Sequence, residues 1–185
     1  TEKFTEQYIH NIEKQISKSE SLRIENPKKA NKAGLELYKT TKDDLKQLEN
    51  IFSKSNVKYQ LIANNLAEEL IECSIAYFNK YRDSDIDPGD DALKLAKYAK
   101  KIAESDKVKD GVNDGIPVLE EYVKDKPKRR KLNIVQSEFN FVYDKLRDLK
   151  SETQITEFPN IAKRFVETCK PKLDTVKNKL GKQQL

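Results

Sequence analysis

One histidine, His10, is the only imidazole in this chain. A lone imidazole cannot assemble a Ser-His-Asp triad, a histidine metal cluster or a zinc metalloprotease helix. Beside Ile9 and Ile12 on a helical pattern, His10 reads as a surface or edge residue. Cys73 and Cys169 lie far apart on apolar helical faces, which predicts free buried thiols and favours a reducing compartment. Asp83, Asp85 and Asp87 have the alternate spacing with which carboxylates converge on a hard cation. Counting from Asp83, however, the sixth position is Pro88, where a calcium loop needs Gly, and the twelfth is Lys94, where it needs a bidentate Glu. The segment reads as a solvated turn, and neither a metal nor a cofactor is expected. The glycines of Gly111-Val112-Asn113-Asp114-Gly115 are not followed by Lys-Ser or Lys-Thr and follow no strand, so a packing or hinge role is expected rather than a phosphate cradle.

Binding chemistry is better represented. The run from Lys124 to Lys131 offers Lys128, Arg129, Arg130 and Lys131 to phosphates, which would give salt-dependent contact without base specificity. No aromatic residue interrupts the run, so base stacking has no support. The charge is unevenly spread: residues 126–185 hold 15 Lys/Arg against 7 Asp/Glu, leaving 21 against 24 in residues 1–125. Among the aromatics, Tyr59, Tyr77, Phe78, Tyr98 and Tyr122 are the candidates for a binding groove. Tyr98 leads them, because it lies off the Ala96/Ala99 packing line. Lys94, Lys97 and Lys101 beside it would meet an acidic peptide with charge and hydrogen bonds.

These residues must be held by helices. Only 5 glycines and 6 prolines punctuate 185 residues, of which 36% are apolar and 36% charged, a composition of long amphipathic helices joined by short turns. Apolar residues at three- and four-residue steps predict a first helix from Phe4 to Leu22 and a second up to Ser53, opened by Asn26 as cap and Pro27 at the first helical position. A third spans Val57 to Lys80, with a broad apolar arc that asks for neighbours on two sides. A fourth covers Asp90 to Ser105 and packs through Ala92, Leu95, Ala96, Ala99, Ile102 and Ala103. Val108, Val112, Ile116, Leu119 and Val123 keep helical spacing in the fifth, while Gly111, Gly115 and Pro117 predict a break near its middle. The basic run reads as a linker or helix start. The sixth helix, Leu132 to Lys150, carries Val135, Phe139, Val142, Tyr143, Leu146 and Leu149, and the seventh runs from Pro159 to Leu180. No apolar run approaches the ~20 residues that a membrane-spanning helix needs.

The chain echoes itself weakly. Glu25-Asn26-Pro27 with Ala30 is similar to Glu157-Phe158-Pro159 with Ala162, and Thr40, Lys42, Leu45 and Leu48 are similar to Thr168, Lys170, Leu173 and Val176. The central helix pair resembles a tetratricopeptide (TPR) hairpin over residues 57–105. Ser74 and Tyr77 fall at the small and aromatic positions of its first helix, and Ala92, Ala96 and Ala99 at the crossing positions of its second. The leading Trp and closing Pro of that family are missing, and the Asp-rich loop makes the connection longer. What the resemblance implies is a scaffold of stacked hairpins whose concave surface holds a peptide or protein.

The expectation is therefore an all-α array of about seven antiparallel helices, TPR-like or an irregular bundle. It is divided into a helical unit over residues 1–125 and a basic linker with the start of a second unit over 126–185, and the two parts could pack as one domain. The expected role is non-catalytic protein–protein interaction within a longer, soluble, cytoplasmic polypeptide, with a protein or peptide partner and no membrane. The absence of Met even at position 1 reads as processing or excision. The alternative is nucleic-acid or acidic-surface binding through the basic C-terminal part; an enzyme fragment ranks third.

Overall fold

The computed structural model describes residues 2–151 and 158–180, and among them the chain is all-α, without a strand. Seven helices follow one another: α1 (Glu2–Glu25), α2 (Ala30–Phe52), α3 (Val57–Tyr81), α4 (Gly89–Ile102), α5 (Asp106–Lys124), α6 (Lys126–Ser151) and α7 (Phe158–Leu180). Two compact units divide the chain between Val123 and Lys124. Glu157, residues 181–185 and the side chains of Lys131, Leu146 and Leu149 lie outside the described residues.

Local chemistry sets the helix ends. At the α1/α2 corner, Pro27–Lys29 form a single 3-10 turn before α2. Asn26 makes no side-chain cap there, contrary to expectation. The backbone closes the turn itself, Lys29 N–H donating to Asn26 O at 2.9 Å, which leaves the Asn26 side chain no capping task. α2 stops at Ser53, whose φ of 63° an L-residue adopts only at a cost. Asn56 then caps α3, accepting from Lys58 N at 2.9 Å and Tyr59 N at 3.4 Å. Asp87 accepts from Gly89 N at 3.0 Å, and Asp90 and Asp91 put negative charge into the first turn of α4. The start of α5 is held from a distance: Asn64 of α3 accepts from Glu104 N and Ser105 N at 2.9 and 3.0 Å.

The first unit is a two-layer stack. α1, α3 and α5 run parallel in one layer. Ser19 meets Glu69 and Arg23 meets Glu72 between α1 and α3, while Asn64 reaches the start of α5 and Phe78 packs edge-on to Tyr122 near its end. α2 and α4 run parallel in the other layer, tied by Asn31 to Asp91 and by Tyr38 to Tyr98. Both ties join residues 60 apart, so the two helices keep one register along their length. Between the layers lies a continuous apolar core that includes Ile12, Leu37, Leu48, Leu66, Leu70, Leu95 and Val112. Ala92, Ala96 and Ala99 are fully buried, and their small side chains bring α4 close enough to α3 for Ser74 Oγ to donate to Ala92 O at 2.8 Å. Gly34 serves the same end on α2. A Cβ there would sit 3.0 Å from Cys73 Cβ and 3.0 Å from a Leu95 methyl.

A further expectation needs correction. α5 is continuous through Gly111, Gly115 and Pro117, without the predicted break. Pro117 is exposed, so the carbonyl that loses its helical partner faces water, and nothing lies within 4 Å of a Cβ added at Gly111 or Gly115. Neither glycine is therefore a packing residue. The basic run, expected as a linker or a helix start, is the start of a helix, since α6 begins at Lys126 and the cations are helical. In the second unit α6 and α7 pack as a pair around Val142, Cys169 and Val176. Lys172 bridges to Glu138 at 3.0 Å and stands 5.5 Å from the centre of the Phe141 ring.

Candidate interaction surfaces

Each layer of the first unit turns one side to the core and the other outward, so exposure assigns every outer position. Along α2 the outward positions carry Lys32, Lys39, Lys42 and Lys46 together with Glu36 and Asp43, and along α4 they carry Lys94, the half-buried Tyr98 and Lys101. This face is basic. The outward line of α1 is Glu6, His10, Glu13, Ser17, Glu20 and Ile24; that of α3 is Leu61, Asn65, Glu68, Glu72, Ile75 and Asn79. The exposed lysines of these helices, Lys14 and Lys18 on α1 and Lys58 and Lys80 on α3, lie off these lines. Exposed charge thus leans by layer, with lysines in excess on α2/α4 and glutamates in excess on α1/α3.

Of the residues singled out in sequence, Tyr98, Lys94 and Lys101 do come together on the basic face. Tyr98 is half-buried because its ring stacks on Tyr38, centroids 3.9 Å apart and planes 6° apart, which makes it a tie between α2 and α4 as well as a surface. Lys97 turns toward α5 instead and pairs with Glu120 at 2.9 Å. Tyr59 and Tyr77 are buried in the core. Phe78 and Tyr122 pack on each other, and Tyr122 Oη donates to Arg82 O at 3.3 Å. In the second unit Lys128, Arg129 and Arg130 lie on one helical turn, where successive side chains fan out by about 100° rather than converge. Lys128 pairs with Asp125 at 3.0 Å, Arg129 is half-buried and Arg130 is exposed.

A buried polar cluster escaped the sequence reading. Arg23 grips Glu69 with Nε at 3.2 Å and Nη2 at 2.9 Å, and Ser19 Oγ donates to Glu69 at 2.9 Å. Cys73 Sγ donates to the same carboxylate at 3.2 Å. With Glu69 only 6% exposed, this is a hydrogen-bonded pin that holds α1 against α3. The Arg23 pKa is raised by its bond to Glu69, whereas burial pushes the Cys73 thiol up to about 12. A thiol so protonated is no nucleophile at neutral pH. Beside this pin, α1 and α2 enclose a groove of about 310 Å³ lined by Lys18, Leu22, Glu25, Lys29, Lys32 and Glu36.

Among the described residues, no group of three His, Cys, Asp or Glu side chains is placed to hold a metal ion, and no helix is long and apolar enough to cross a membrane. Asp83 is exposed and bridges to Arg82, while Asp87 is engaged in the turn before α4. Both cysteines are free and buried. The class that fold and surfaces define is a two-layer helical stack whose layers lean to opposite charge. Compared with protein families, with curated proteins and with solved structures, the chain matches none.

Proposed function

We propose that this chain is a non-catalytic protein-interaction scaffold of the helical-repeat, TPR-like kind, which presents the outer faces of its stacked hairpins to another protein. The observation that carries the reading is the common register of successive hairpins. α1 and α3 stack in parallel, α2 and α4 do the same, and the backs of the helices form broad, continuous surfaces. Such surfaces suit the recognition of an extended or helical segment. The groups capable of chemistry are otherwise occupied: Cys73 is held protonated inside the core, and Glu69 is clamped by Arg23.

The test is affinity capture from the source cell with the 185-residue chain, repeated after nuclease treatment and at raised salt, with bound proteins identified by mass spectrometry. A stoichiometric protein that survives nuclease is the expected result. Recovery of nucleic acid alone, lost at higher salt and weakened by reversing Lys128, Arg129 and Arg130, would replace the scaffold reading with the electrostatic one.

A further inference from the structure

Resting on the scaffold reading, we propose that the anionic outer face of the α1/α3/α5 layer docks a cationic amphipathic helix of the partner protein, laid across the three helices. Three exposed apolar side chains form a row on this face. Ile24 is 66%, Ile75 46% and Val118 61% exposed, a costly placement for three branched aliphatics on one face. Register aligns them. Ser19 and Glu69, 50 residues apart, bring Ile24 level with Ile75, while Asn64 and Glu104, 40 apart, together with the Phe78/Tyr122 contact, bring Ile75 level with Val118.

Helices packed side by side stand about 8–10 Å apart between axes. An α-helix repeats a side chain on one face every seven residues, a rise of about 10.5 Å. A helix lying across the layer therefore offers one apolar residue to each of the three in turn. Exposed carboxylates lie along the N-terminal side of the row: Glu13, Glu20, Glu68 and Glu72 on α1 and α3, the last also bridging to Arg23, and Asp114 on α5. A helix with Lys or Arg flanking its apolar stripe meets these carboxylates, whereas an acidic helix is repelled. The basic α2/α4 face lacks such a row, Ile51 being the one large apolar side chain exposed on its described residues.

The probe is a fluorescein-labelled synthetic helical peptide of about 18 residues, long enough for three apolar positions, with Leu on one face and Lys elsewhere. It is compared with the same peptide carrying Glu for Lys and with one carrying Ser for Leu. Anisotropy titration with the full chain should rank the Leu/Lys peptide about tenfold or more above both controls. Glu20→Lys with Glu68→Lys, and separately Ile75→Ser, should each weaken it by about tenfold, while Lys94→Glu with Lys101→Glu leaves it within about twofold. Circular dichroism melts establish that each variant is folded. Equal binding of the Ser control, or affinity indifferent to the Glu20/Glu68 and Ile75 changes, overturns the proposal. The two failures are separable. A captured protein that the Glu20→Lys/Glu68→Lys variant still holds removes this face and leaves the scaffold reading standing; a wild-type chain that captures no protein removes the scaffold reading.

Discussion

Adding one methyl group at two glycines should move stability in opposite directions. Gly34 faces α3 and α4, and a Cβ there would lie 3.0 Å from Cys73 Cβ and 3.0 and 3.1 Å from the Leu95 methyls. Cys73 Cβ is a stem atom fixed by the α3 backbone, and Leu95 is fully buried, so neither can yield without moving a helix. Overpacking of this kind costs about 1–3 kcal/mol. The gain in helix propensity returns about 1 kcal/mol of that. Gly34→Ala should therefore lower stability by about 1 kcal/mol net, and by about 2 kcal/mol if α3 is displaced. Gly111 has nothing within 4 Å, so Gly111→Ala takes the propensity gain alone, about 0.5–1 kcal/mol of added stability. Urea titration followed by circular dichroism at 222 nm measures both, with the midpoint moving down for the first variant and up for the second. Equal shifts of the same sign would mean that α2 does not approach α3 and α4 as closely as described, and the argument for a tightly registered stack would go with it.

Three further outcomes are expected. Arg23→Met strands a buried carboxylate and should cost about 2–4 kcal/mol, whereas adding Glu69→Leu should restore most of the loss; a double variant no more stable than Arg23→Met refutes the pin. Ser53→Gly relieves a φ of 63° and should raise stability by about 1 kcal/mol in the same urea assay; an unchanged midpoint would show that the turn carries no strain. Burial raises the thiol of Cys73 from its ordinary value of 9.0 to about 12, so the folded state holds its proton longer than the unfolded chain. The corresponding stability is intact below pH 9 and is lost as pH rises from 9 toward 12, by roughly 4 kcal/mol if the full shift applies. Stability measured against pH should fall less steeply over that window in Cys73→Ala, the remaining slope including Tyr59, which burial also raises to about 12. Identical slopes would contradict the buried thiol.

The helices were legible because burial enforces the 3.6-residue spacing that the apolar stripes display, and Ala92, Ala96 and Ala99 announced close packing by size alone. The Asp-rich segment before Gly89 marked its turn for equally local reasons. Sequence misjudged α5, since propensity penalises Gly and Pro without knowing that Pro117 lands on the water side. Ser19 was invisible, a small polar residue among many. Glu69 carried a faint signal, a carboxylate inside the arc of Leu66, Leu70 and Cys73, but its partner stands 46 residues away on another helix. The leaning of charge by layer was hidden for a similar reason. Net charge along the chain mixes α1 with α2 and α3 with α4, and only the register between helices separates the excess of glutamates from the excess of lysines.

The placement of the two cysteines has a practical consequence. Cys73 is sealed in the first unit behind Ser19, Glu69 and the bare backbone of Gly34, and Cys169 is sealed in the second against its own helix partner. Each unit thus contains one thiol that a maleimide reaches only when that unit opens. Alkylation rates at the two positions, read by peptide mass in a single experiment on the unaltered chain, become two independent clocks. They record how often each half breathes, and a partner that grips one half will slow its clock and leave the other running.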